Sequence, residues 1–135
     1  MKIIGYNYAI IHTMVHLFLA GLLYYAVQPD LSLDYVKIAV IAIGTAIPDS
    51  DHIPLWFERG VKGYLELRSI EEFGKPRKYA LHNLMLVFLL IGASSLIVVK
   101  DYFLIGLFST ATVLHLLWDF AEDVFIFKMG YRHWI

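Results

Sequence analysis

Apolar residues run along this chain in four blocks, at about 6–27, 33–47, 79–99 and 102–127, and a single long polar stretch at 49–78 divides them into two pairs. About 20 apolar residues cross a bilayer as a helix, so each block predicts a transmembrane span. The second is short. Its roughly 15 residues rise only about 22 Å, so that helix stands upright, crosses a thinned bilayer or is sheltered by its neighbours. Connections at 28–32 and 100–101 are tight, which makes consecutive spans antiparallel neighbours. Within the polar stretch, 53–67 mixes Trp56, Phe57, Tyr64 and Leu67 with charges, as a helix lying along the interface would. The predicted fold is all-α: a polytopic membrane protein, one domain over 1–135, forming a four-helix transmembrane bundle with an interfacial helical segment between the second and third spans.

Composition agrees with that pattern. The chain is 59% hydrophobic and 17% charged over 135 residues, too apolar for a soluble domain of this length. If the termini share a side with 49–78, nine of the eleven basic residues lie there and only Lys37 and Lys100 lie opposite. The expected topology is therefore multi-pass in the inner (plasma) membrane, N-in and C-in. The first block carries His12 and His16 and has no persuasive cleavage site before Pro29, so a retained helix is expected. A net charge of −1 gives no basic field for nucleic acid. Absence of cysteine removes disulfides, thiolate metal sites and cysteine nucleophiles.

Against this apolar background the ionisable residues stand out. Pro48 ends the second block and is followed by Asp49, Ser50, Asp51 and His52, a turn whose carboxylates and imidazole suit a divalent cation. His12 and His16 are four apart and share one helix face, as do His115 and Asp119 in the last block. Depth provides a check. Counted from the cytoplasmic end, His12 lies about 9 Å deep, His16 about 15 Å, His115 about 18 Å and Asp119 about 12 Å. His82 opens the third block on the same side, so all these groups fall in one half of the bundle. Plain alternatives exist: Asp and Ser are ordinary turn residues, and interhelical hydrogen bonds contribute about 0.6 kcal/mol on average. That gain hardly explains so many polar groups together at membrane depth. Small residues Gly44, Gly92, Ala93, Ser94, Ser95 and Gly106 read as points of close helix approach, and Tyr24 and Tyr25 as an interfacial belt. His133, beside Trp134, reads as part of an interfacial anchor.

These motifs resemble the YdjM-like family of small inner-membrane proteins, predicted metal-dependent hydrolases. The resemblance rests on His16 in the first span, Pro48-Asp49-Ser50-Asp51-His52 after the second, Arg77-Lys78-Tyr79-Ala80-Leu81-His82-Asn83 at the third, and His115-Leu116-Leu117-Trp118-Asp119 in the fourth. Arg77 stands where the family usually has a first histidine and Asn83 where it has a serine; Glu122 and Asp123 occupy the place of a Thr-Pro-Gly turn. The H-x-x-x-D element is also similar to one in zinc-dependent phospholipase C enzymes. Taken with the residues, the resemblance implies a membrane-embedded hydrolase using a divalent metal, zinc first, with one ion or two, on a lipid or lipid-linked phosphoester at the cytoplasmic leaflet. Expected metal ligands are His16, Asp49, Asp51, His82, His115 and Asp119, with His12 as an additional candidate. His52 and Glu122 are the candidate bases, and Arg77 and Lys78 the candidates for holding phosphate. Membrane lipid is the expected partner, and a homo-oligomer is compatible with the sequence. Two other classes fit the same residues: a metal-ion or proton transporter, which needs polar groups continuing into the opposite half, and a non-catalytic membrane scaffold with a structural metal.

Overall fold

The computed structural model describes residues 5–30, 32–53, 57, 81–126 and 135. It is all-helical, with no strand among the described residues. Among the described residues four α-helices carry the architecture: α1 (Gly5–Val27), α2 (Tyr35–Ala46), α3 (Leu84–Ser94) and α4 (Phe103–Ala121). A 3-10 turn at Pro48–His52 follows α2, further 3-10 turns at Ser95–Val98 and Lys100–Tyr102 join α3 to α4, and α4 runs on into a π-helical turn at Glu122–Ile126. Among the described residues two stretches, Ile10–Val27 and Lys100–Ile126, are long and apolar enough to cross a membrane, while Tyr35–Ala46 and Leu84–Val98 are shorter apolar helices. The expected interfacial segment at 53–67 lies largely outside the described residues.

Helix ends are set by local chemistry. Asp34 Oδ1 accepts from the backbone N–H groups of Val36 and Lys37, both at 3.1 Å, and starts α2. The preceding turn is tied to α1, because the Tyr24 hydroxyl donates to the Ser32 carbonyl at 2.5 Å and accepts from the Asp34 N–H at 2.9 Å. Tyr24 is thus a half-buried strut, whereas Tyr25 is exposed as a belt residue would be. In the same turn the backbone N–H of Ser32 holds the Asp30 carboxyl below the usual carboxylate range. That support is present above the ordinary carboxylate pKa and is lost as pH falls through the lowered one. The third apolar block forms a shorter α-helix than the run of residues suggests. Asn83 adopts an extended backbone, and its Oδ1 accepts from the Met85 N–H at 2.7 Å, so α3 begins only at Leu84.

Packing centres on α4, which buries Gly106, Leu107, Ser109, Ala111, Thr112, Val113, His115, Leu116 and Asp119. Both α2 and α3 pack along it, and α1 packs against α2 and α4. One apolar cluster joins Leu23, Ile41, Leu107 and Ala111; another joins Val87 and Leu116. Close approach of α2 to α4 depends on Gly44, where an added Cβ would lie 2.7 Å from the Phe108 carbonyl oxygen and 3.0 Å from Ala111 Cβ. Thr112 Oγ1 donates across the same crossing to the Gly44 carbonyl at 3.0 Å. Gly106 is likewise pressed against the backbone of Ile97 and Leu96, but Gly92 faces open space and makes no such approach. Ser94 and Ser95 instead donate to their own helix, at Leu90 O and Gly92 O, where α3 passes into its 3-10 turn. Gly44→Ala should therefore separate α2 from α4 and destabilise the fold by about 1–3 kcal/mol. Thermal unfolding in detergent measures it, and an unchanged midpoint would contradict the tight crossing.

Candidate metal centre

Antiparallel helices bring four sequence-distant regions to one end of the bundle: the first half of α1, the turn after α2, the residues just before α3, and the last turns of α4. Helical spacing does the local work. His12 and His16 lie one turn apart on α1, and His115 and Asp119 lie one turn apart on α4, with Glu122 following. Pro48 is fully buried and turns the chain so that Asp49 joins them. His82 enters from the residues that precede the Asn83 cap.

Asp119 is the hub. Its Oδ2 lies 3.0 Å from His82 Nε2 and 3.0 Å from His115 Nε2, while its Oδ1 lies 3.3 Å from His16 Nε2 and 3.7 Å from His12 Nδ1. His115 Nε2 is also 3.5 Å from Asp49 Oδ1. The His16 and His115 rings stack at 3.9 Å, and the His12 ring stands edge-on to His16 at 4.1 Å. Two overlapping groups of ligand atoms result, Asp49 with His82, His115 and Asp119, and His12 with His16 and Asp119; within each group the atoms lie within 4.8 Å of one another.

Burial makes this arrangement informative. His12, His16, His82, His115, Asp119 and Glu122 are each between 1% and 7% exposed. Ionised groups this deep need compensation. Imidazole–carboxylate pairing supplies some of it, since Asp119 is at ion-pair distance from four histidines. Pairing alone leaves atoms unused, however: His115 Nε2 makes no hydrogen bond although two carboxylate oxygens lie within 3.5 Å. His82 Nε2 is hydrogen-bonded to Asp119 Oδ2 at 3.0 Å and His16 Nε2 to His12 Nε2 at 2.9 Å, so pairing and cation binding draw on the same atoms, and imidazole nitrogen with carboxylate oxygen is a donor set that divalent cations use. The buried His and Asp groups could hold a metal ion.

On one side the centre is closed by apolar packing. A crevice lined by His16, Leu19, Leu23, Thr45, Ala111 and His115 has no room for a water molecule. Asp49 is the open member, with its side chain 33% exposed.

Of the residues expected from sequence, His12, His16, Asp49, His82, His115 and Asp119 meet at one place, and Glu122 borders them. The side chains of Asp51 and His52 lie outside the described residues, although their backbone continues the turn after Pro48. Arg77, Lys78 and His133 lie outside the described residues altogether. Asp123 belongs to neither ligand group. Trp118 was not anticipated: its Nε1 donates to Glu122 Oε1, and its one-turn spacing from Glu122 is the only trace of this in the sequence. Comparison with known protein families, with curated proteins and with solved structures returns no match.

Proposed function

We propose that the protein is a membrane-embedded, metal-dependent hydrolase whose cation is held by Asp49, His82, His115 and Asp119. The observation that carries this reading is the convergence of one ligand atom each from Asp49, His82, His115 and Asp119 within 4.8 Å of one another, with His115 Nε2 between the Asp49 and Asp119 carboxylates at 3.5 and 3.0 Å. A divalent ion in this setting supplies Lewis acidity, activating water and polarising a phosphoryl or carbonyl oxygen. The residues themselves bind and orient it, and Asp49 marks the side from which substrate and water arrive.

The distribution of polarity supports a lipid setting. Ile10, Ile11, Met14, Leu17, Phe18 and Leu22 of α1 and Met85, Phe88 and Leu89 of α3 are exposed, while imidazoles and carboxylates are buried. That inverts the usual arrangement of a soluble domain and fits helices bathed in acyl chains. In this proposal all four helices sit in the inner membrane, with both termini and the basic stretch 49–78 on the cytoplasmic side. The substrate is then a lipid or lipid-linked phosphoester, for which Arg77 and Lys78 are the sequence candidates to hold phosphate. The resemblance to the YdjM-like family points the same way. Conduction fits less well, because among the described residues the interior beyond the polar layer is mainly Leu23, Ile41, Leu107 and Ala111, with only the hydroxyls of Ser109 and Thr112 among them.

Turnover of phospholipid and polyprenyl-phosphate substrates by zinc-loaded protein in mixed micelles tests the proposal. Release of a phosphate-containing or phosphate-free headgroup that stops on chelation is expected. Tight metal binding with no turnover on the panel would favour a structural ion, and metal flux into liposomes would favour transport.

A further inference from the structure

We propose that the centre contains a second, separately built cation subsite formed by His12, His16 and Asp119, and that Glu122, braced by Trp118, is its positioning residue. This rests on the metal-centre reading and adds a division of labour within it.

The division is visible in Asp119. One of its oxygens lies 3.0 Å from Nε2 of both His82 and His115; the other lies 3.3 Å from His16 Nε2, whose other near neighbour is His12 Nε2 at 2.9 Å. A carboxylate that offers its two oxygens to two different sets of imidazoles is placed to serve two cations, the arrangement found where paired ions act on phosphate esters.

The second set also has an outer support of its own. Glu122 is 1% exposed. Its Oε1 receives the indole N–H of Trp118, and its Oε2 lies 2.9 Å from His12 Nδ1. An indole nitrogen can only donate and an ionised carboxylate can only accept, so Trp118 fixes the Glu122 rotamer and Glu122 holds the proton on His12 Nδ1. The Nε2 lone pair of His12 is thereby turned inward, 2.9 Å from His16 Nε2. Two imidazole nitrogens at that separation either share a single proton or present lone pairs to one cation. A carboxylate behind a histidine, fixing its tautomer and ring orientation, is the usual outer partner of a metal-bound imidazole. By contrast, Nδ1 of His16 and Nδ1 of His115 make no hydrogen bond. The same contacts assign Glu122 an orienting role, since both of its oxygens are already engaged.

Stepwise titration of the metal-stripped full chain with Zn²⁺ alone, read by elemental analysis after desalting and by calorimetry, tests this. Wild type should take up two equivalents. His12→Ala should take up one, with the affinity of that first equivalent unchanged, which also shows that the variant is folded. Glu122→Gln should keep the first equivalent and weaken the second by about 10–100-fold. With Trp56 and Trp134 replaced by phenylalanine, Trp118 fluorescence should respond to the second equivalent and not to the first. One equivalent in both wild type and His12→Ala would overturn the second subsite while leaving the metal centre standing. A second equivalent lost in His12→Ala but unaffected in Glu122→Gln would overturn the role of Glu122. No uptake by wild type would overturn the metal-centre reading itself, and this inference with it.

Discussion

Asp119→Asn is expected to empty the centre of metal. The carboxylate is 3% exposed and belongs to both ligand groups, with Oδ2 3.0 Å from His82 Nε2 and His115 Nε2 and Oδ1 3.3 Å from His16 Nε2. Asparagine keeps the shape but replaces a charged oxygen with an amide and removes the negative charge that faces four imidazoles. Outer partners of a metal ligand are worth about 10–100-fold in affinity, so a shared ligand should cost more than about 100-fold, and turnover should fall to background. Metal content after gel filtration and hydrolysis of the best substrate measure the two effects. Asp123→Asn removes a nearby acid that belongs to neither ligand group and should change neither. Retention of full metal by Asp119→Asn would contradict the placement of this residue at the hub.

Metal removal should destabilise the whole bundle as well as silence it. An ion held by Asp49, His82, His115 and Asp119 would cross-link the turn after α2, the residues before α3 and the end of α4, and Asp119 also faces the histidines of α1. An ion present at about 1,000 times its dissociation constant stabilises the folded state by about 4 kcal/mol, a large share of the about 5–15 kcal/mol typical of a domain. Chelation also leaves buried carboxylates to be balanced by histidines alone, which adds to the loss. The unfolding midpoint in detergent should drop on EDTA treatment and recover with added zinc. An unchanged midpoint would mean that the imidazole–carboxylate pairs hold the bundle without a cation.

Much of the site was legible in the sequence because helical spacing is rigid. His12 with His16 and His115 with Asp119 could only share faces, and Pro48 could only stop α2 where Asp49 begins. Gly44 was legible too, as a small residue at a helix crossing. Apolar periodicity does not disclose caps: the third block runs smoothly from 79, yet Asn83 starts the helix at Leu84 and so frees His82 from helical geometry to reach Asp119. Nor does spacing reveal which oxygen serves which partner. The split of Asp119 between two histidine pairs, and the brace of Trp118 on Glu122, depend on rotamers set by tertiary packing. Gly92 misled because a small residue on an exposed apolar face looks the same in the sequence as one at a contact.

Anomalous diffraction at the zinc edge, on crystals of the as-purified chain, addresses the shared cation most directly. The expected result is a peak bonded at about 2.0–2.2 Å to Asp49, His82, His115 and Asp119. A map with no peak, and with those imidazoles hydrogen-bonded only to carboxylates, would reduce the centre to a buried ion-pair network.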